Sequence, residues 1–282
     1  MKGREGYEPF MASILILSSF VAASRVGGGA QTLALARLGF EPILVPTVLF
    51  GRHPGRGAPG GGPVEAEVMA AMLEGIEVQG LFAGLNAVIT GHFSSPEQVA
   101  VAARTLAAVR AANPDARFVV DPIMGDNGQL YVKPAVAEAI AAELVPLADL
   151  VAPNAWELER LTGSPITDPK SAVAAARSLG RSVLVSSVPA GRRIGVVYAD
   201  ERQAWLAAHP MVAAAPNGTG DLLTLLFAAA LAERHQPRAA LHLAAAALSR
   251  AVVVADGAPE LPIEAFPTKL DHIADVALTA LS

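Results

Sequence analysis

The chain carries the run Asn217-Gly218-Thr219-Gly220-Asp221 and turns almost wholly apolar from Leu222 onward. Glycines let a backbone turn tightly enough to aim successive N–H groups at one point. A helix starting there adds the positive end of its dipole, so Gly218, Thr219 and Gly220 have the makings of an anion hole. Asp221 then has two readings. It is a residue favoured at helix N-termini as a cap, and it is a carboxylate placed to act as general base beside a bound phosphoryl group. The four-residue pattern alone does not separate the two.

In open α/β sheets ligands bind beyond the carboxyl ends of the strands, so other polar strand ends bear on the choice. Asp121 and Asp126 lie in Val120-Asp121-Pro122-Ile123-Met124-Gly125-Asp126. Asn154 and Glu157 lie in Ala152-Pro153-Asn154-Ala155-Trp156-Glu157. Mg²⁺ takes oxygen ligands and few of them from protein, and phosphoryl transfer needs metal-bridged phosphates and a positioned nucleophile. Each residue also has a plainer role: Asp121 as a turn residue before proline, Asn154 as a helix cap, Glu157 as its capping-box partner. One such polar strand end would be unremarkable.

Elements that could position these residues alternate along the chain. Apolar runs at 13–20, 43–48, 87–90, 117–120, 150–152 and 182–186 read as strands. Helical patterns fill 30–38, 64–73, 96–112, 135–144, 154–161 and 171–179. Residues 195–198 and 204–207 read as a hairpin around Asp200-Glu201, 221–232 and 239–254 as deeply buried helices, and 272–281 as a final surface helix. The alternation predicts one α/β domain across residues 1–282, with a central, mostly parallel sheet and helices on both faces. Residues 1–12 are expected as an N-terminal extension. The glycine-rich stretch 51–63 is expected as a flexible, lid-like loop.

Composition narrows the classes. Hydrophobic residues make up 52% and charged residues 17% of the 282, so a sizeable core is expected and disorder is not. The net charge of -5 offers no general attraction to nucleic acid or an anionic membrane. With no cysteine there is no disulfide, thiolate metal site or catalytic thiol. Residues 10–24 have the outline of a short signal peptide. Glu5 and Glu8 in the would-be basic region, and Ile14-Leu15-Ile16-Leu17 followed by serines, favour a buried first strand and a cytoplasmic protein.

Taken in order, these segments resemble the ribokinase-like superfamily, in its vitamin-kinase branch of pyridoxal and hydroxymethylpyrimidine kinases. Gly218-Thr219-Gly220-Asp221 resembles its anion-hole motif, the 120–126 run its "DPVMG" signature, and 153–157 its "PNxxE" motif; the likeness spans Ile14 to Asp256. It implies ATP as co-substrate, Mg²⁺, room for a monovalent cation, and a homodimer. It implies that Asp221 takes the acceptor's proton, that Asp121, Asn154, Ser186 and Thr219 serve ATP, and that Asp121, Asp126 and Glu157 serve the metal. For the acceptor it implies Ser19, Val21, Thr47 and His92 beside Asp221, and a B6 vitamer phosphorylated at its 5′-hydroxymethyl group. Phe20 stands where pyridoxal kinases have His, Gly28 or Gly29 where they have Asn, and residues after His53 lack their aromatic lid. The other readings are a hydroxymethylpyrimidine or small-alcohol kinase, and a weakly catalytic vitamer-binding relative. Asp221 argues against both, because that pyrimidine-kinase branch often has Cys there and a pure binder needs no base.

Overall fold

The structure, a computed structural model, describes residues 12–212, 215–266, 268–270 and 276–281. Its strands are β1 (Ser13–Val21), β2 (Glu41–Phe50), β3 (Gly61–Pro63), β4 (Leu85–Thr90), β5 (Arg117–Val120), β6 (Gly125–Asp126), β7 (Gln129–Leu130), β8 (Leu150–Val151), β9 (Ser182–Ala190), β10 (Arg193–Ala199), β11 (Ala204–Pro210) and β12 (Leu278–Leu281). Its α-helices are α1 (Gly27–Leu38), α2 (Ala66–Val78), α3 (Pro96–Ala112), α4 (Pro134–Ala139), α5 (Ala155–Thr162), α6 (Pro169–Ser178), α7 (Thr219–Ala232) and α8 (Pro237–Ala255).

Ten strands form one sheet in the order β12-β11-β10-β9-β8-β5-β4-β1-β2-β3, while β6 and β7 make a separate small hairpin. The strands from β9 through β8, β5, β4 and β1 to β2 run parallel, and β10, β11, β12 and β3 add antiparallel margins. β1 explains the two-sided core. Its Ile14 and Ile16 pack with Leu35 of α1 and Leu222 and Leu226 of α7, while Leu15 and Leu17 pack with Met69 of α2, Val99 and Leu106 of α3, and Val136 of α4. A strand apolar on both faces is what a parallel sheet covered by helices requires. Helix starts follow their caps: Ser95 accepts from Gln98 N–H with Pro96 in the first turn, and Asn154–Glu157 and Asp168–Ser171 form capping boxes. By length and composition α8 could cross a membrane, but its Ala240, Leu241, Ala244, Ala247 and Ala251 lie in the core beside α7.

One expectation changes. Residues 278–281 are a strand, not part of a surface helix; they pair with β11 in the register Ala204↔Leu281. The open backbone groups of an edge strand outweighed a weak helical pattern. Residues 272–275 lie outside the described residues, as do residues 1–11 of the proposed extension. The stretch 51–63 is a hydrogen-bonded hairpin in this structure. β3 pairs with β2, Gly51 N–H donates to Pro59 O and Gly60 O, and Arg52 Nε donates to Ala58 O.

Candidate active site

The parallel strands end in a stepped row tied together by backbone bonds. Gly91 N–H donates to Leu17 O (2.8 Å), Asp121 N–H to Thr90 O (3.1 Å), Ala152 N–H to Val120 O (2.8 Å) and Ser186 N–H to Pro153 O (3.0 Å). The sheet thus delivers Ser18-Ser19, Thr90-Gly91-His92, Asp121, Asn154 and Ser186 to one edge, and Asn154 and Ser186 form a parallel bridge.

At the Asp121–Ser186 end the polar groups are held by backbone. Glu157 is buried; its Oε1 accepts from Met124 N–H (2.6 Å) and Gly125 N–H (3.2 Å), and its Oε2 from Asn154 N–H (2.9 Å). Asn154 returns the favour through Oδ1, which accepts from Glu157 N–H (2.8 Å), and its Nδ2 donates to Gly125 O (2.8 Å). The 121–126 loop is pinned in this way with Ile123 at φ 27°, a strained value for a β-branched residue. Burial pushes the Glu157 carboxyl up to about 7, against the three amide bonds that pull it down. Asp121 is buried, accepts from Thr224 Oγ1 (2.8 Å), and is held well above the usual carboxylate range by burial and then by the charges of Glu157 and Asp221.

The expected metal set does not assemble as three ligands. Glu157 spends both oxygens on amides and so shapes the loop. Asp126 sits in the β6–β7 turn, where it accepts from Asn127 N–H (2.8 Å) and Asn127 Nδ2 (3.1 Å). Among the described residues no group of three or more His, Asp or Glu side chains is placed to hold a metal ion.

The Gly218 turn lies across from this end. Gly218 has φ 84°, and a Cβ there would come 2.6 Å from Arg25 O, so glycine is required for the fit against residues 25–26. Gly220 has open space where a Cβ would stand. Thr219, Gly220 and Asp221 occupy the first turn of α7, whose N–H groups have no acceptor within the helix. Asp221 makes no capping bond. Its Oδ2 instead accepts from Gly27 N–H, the first residue of α1 (3.0 Å), and its Oδ1 is buried without a partner. Burial pushes this carboxyl up to about 6, with the Gly27 N–H pulling against it.

Beyond Asp221 lie the predicted acceptor residues. Val21 is buried, Ser19 is half-buried, and a Cβ on Gly27 would stand 2.1 Å from Ser19 Oγ, so Ser19 and the Asp221 anchor are immediate neighbours. Thr47 is buried and its hydroxyl donates to His92 O (2.6 Å); it holds the His92 backbone and has no hydroxyl proton left for a ligand. His92 is half-buried, its Nδ1 has no partner, and burial pushes its pKa down to about 4. The imidazole is therefore neutral at neutral pH.

The sequence matches the family described as phosphomethylpyrimidine kinase over residues 61–261. It is 37% identical over 234 residues to the pyridoxal kinase of Deinococcus radiodurans, covering 76% of this chain and 77% of that one. It is 34% identical over 269 residues to the pyridoxine/pyridoxal/pyridoxamine kinase of Bordetella avium, covering 90% and 89%. The chain belongs to the pyridoxal kinase family. Its fold superposes on pyridoxal kinase from Leishmania donovani with a TM-score of 0.88 at 26% identity over 96% of this chain and 99% of that one. That enzyme has been solved with ADP, and with ADP plus pyridoxamine or pyridoxine.

As a member of this kinase family, the chain is a phosphotransferase with an alcohol acceptor. Its site includes residues that motif reading passed over. Gln31 donates to Asp221 O (3.0 Å), Thr224 holds Asp121, and the hydroxyls of Ser18 and Thr90 are buried without partners at the ends of β1 and β4. Thr224 had one legible signal, a polar residue on the otherwise apolar helix α7 three positions after Asp221. Ser18 and Thr90 carried the same signal as Ser19 and Asp121, a polar residue at a strand end; Gln31 had none.

Proposed function

We propose that this chain transfers the terminal phosphoryl group of ATP to the 5′-hydroxymethyl group of pyridoxal, pyridoxine or pyridoxamine, giving ADP and the 5′-phosphate. The observation that carries the reading is Asp221: a carboxylate in the first turn of α7, beside a glycine turn, anchored through one oxygen by Gly27 and with the other oxygen buried and unpartnered. Asp221 accepts the proton of the acceptor hydroxyl through that oxygen. The N–H groups of Gly218, Thr219 and Gly220 hold the transferring phosphoryl oxygens. Ser19, Val21 and His92 line the acceptor, while Asn154 and Ser186 line the nucleotide.

Asp121 would hold Mg²⁺. The fit comes from the donor: Asp121 is a carboxylate buried at the carboxyl end of β5, held up first by burial and then by the charges of Glu157 and Asp221, all of which a cation would relieve. Bound there, Mg²⁺ would neutralise charge on the ATP phosphates. Asp126 is exposed enough to act through water. A monovalent cation, a cytoplasmic location and a homodimer without nucleic-acid or membrane partners complete the proposal. The net charge of -5 supports the last exclusions, and family likeness alone supports the rest. The deciding experiment is ADP release by purified protein with Mg-ATP against a panel of B6 vitamers and hydroxymethylpyrimidine. Turnover on the vitamers alone is expected, and turnover on the pyrimidine alone would overturn the acceptor.

A further inference from the structure

Glu260 lies outside every chemistry-bearing motif, yet three segments that surround Asp221 converge on it. Its Oε1 accepts from Ser24 Oγ (2.9 Å) and from Arg56 Nη2 (2.5 Å), and its Oε2 accepts from Ser24 Oγ (3.1 Å) and from Arg25 N–H (2.7 Å). Its backbone forms a parallel bridge with Asn217, the residue before the glycine turn. One carboxylate therefore fastens the loop 22–26, the hairpin 51–63 and the approach to Gly218.

The geometry points to Glu260 as a positioning residue for the base. The loop it fastens ends at Val26, and the next residue, Gly27, donates the one hydrogen bond that reaches the Asp221 carboxylate among the described residues. Gly218 packs against Arg25 O and Val26 Cα, with no room for a Cβ between them. If Ser24 and Arg25 shift, Gly27 N–H and the floor of the glycine turn shift with them. Arg25 reinforces the same contact from its side chain, donating through Nη1 to Leu261 O (2.9 Å) and to Glu264 (2.7 Å). Glu260 is only a quarter exposed, 24% by side chain, whereas Glu264 is 69% exposed, so Glu260 is the firmer of the two anchors.

This role rests on the reading of Asp221 as base, and it makes a distinct demand. Gly27 N–H pulls the Asp221 carboxyl down against burial. The charge of Asp221 in turn presses on the Asp121 carboxyl, which the substitutions below leave in place. Weakening the Gly27 bond must raise the pKa of Asp221, so the acid limb of the turnover–pH profile must move to higher pH. A residue that only stabilises the fold would leave that limb where it is.

The test uses the full chain with Mg-ATP and pyridoxal. Glu260→Ala is expected to cut turnover roughly 10- to 100-fold through misplacement of the reacting groups, and to move the acid limb upward by roughly one pH unit. Ser24→Ala, which removes one donor and keeps the carboxylate, should move it the same way by less. Amide exchange at Gly27, read without turnover, should quicken in both. A limb at the wild-type position and unchanged Gly27 exchange in Glu260→Ala overturns the proposal; if that variant does not fold, the same result in Ser24→Ala does so. Failure of the base assignment is separately visible, because Asp221→Asn would then keep its turnover.

Discussion

The two halves of the site differ in how their buried polar atoms are satisfied. Around the 121–126 loop, Glu157 and Asn154 form a closed set with Met124, Gly125 and each other. Around Asp221 and the ends of β1 and β4, Ser18 Oγ, Gln31 Oε1, Thr90 Oγ1, His92 Nδ1 and Asp221 Oδ1 are all buried without a partner, and they are the only such side-chain atoms among the described residues. A buried polar atom without a partner costs roughly 1–3 kcal/mol. The protein carries that cost at one end of its site and nowhere else described. The 121–126 end is thus shaped by the chain itself, and the Asp221 end keeps polar atoms that the described residues leave open; under the proposed function a vitamer would complete them.

The largest effect should come from the atom that belongs to both halves. Asp221→Asn is expected to lower turnover roughly 10²–10⁴-fold while ATP affinity stays near wild type, since a general base contributes about that much. Steady-state kinetics with a separate ATP-binding measurement check it. In the wild type the base works deprotonated, and its carboxyl lies at about 6. Turnover should therefore rise with pH through about 6 and level off above it. His92, at about 4, is neutral throughout that range and adds no second limb there.

Glu157 tests the closed half. As a direct metal ligand its amide variant would weaken Mg²⁺ and spare stability. Because it accepts three backbone N–H bonds, Glu157→Gln should do both: lose about 1–3 kcal/mol of stability from donors left without an acceptor, and raise the Mg²⁺ needed for half-maximal rate roughly tenfold through the displaced loop. Denaturant melts beside an Mg²⁺ titration read the two. A shifted titration with an unchanged melt would return Glu157 to the metal.

What the sequence disclosed follows this same division. Strand ends and caps are written locally: Asp121 before proline, Asn154 three residues before Glu157, glycines around Thr219. They placed the six parallel strands, and Asp121, Asn154 and Glu157 at one edge of them. Contacts between distant segments are not written locally. Gly27 to Asp221 joins residues 194 apart, and Ser24 to Glu260 joins residues 236 apart. For the same reason the capping box in 154–157 was visible while its second task, gripping the 124–125 amides, was not. β12 was misread because its partner edge lies more than seventy residues upstream, with nothing in 278–281 to announce it.

His92 probes the open half with a smaller effect. Its Nδ1 is buried without a partner just past the end of β4, with the backbone fixed by Thr47, and the proposed function gives it the pyridine acceptor. His92→Leu keeps bulk and removes the bond. Acceptor KM should rise about 2- to 10-fold, the measure of one neutral hydrogen bond, and ATP KM should not move. Equal changes in both would mean that the residue supports the sheet edge rather than the acceptor.

The hairpin 51–63 should give the smallest change, and it decides which half the segment belongs to. Its composition, rich in glycine, predicts a mobile lid that orders on ligand binding at an entropic cost. Its hydrogen bonds argue for a wall that is already in place: Gly51 and Arg52 donate to Pro59 O, Arg56 to His53 O and Gly57 to Pro54 O. Among the described residues the Arg56–Glu260 pair is the one side-chain contact tying the tip to the body, with Arg56 38% exposed, and a pair of that kind contributes about 0–1 kcal/mol. A wall fastened so lightly should show amide protection at 51, 52, 56 and 57 without ligand. Arg56→Ala should quicken that exchange no more than about fivefold, with a slight rise in ATP hydrolysis when no acceptor is present. Exchange at these amides that is fast in the free protein and slows many-fold with ATP and pyridoxal would make the segment a lid after all, and would move it from the self-satisfied half of the site to the half that ligand completes.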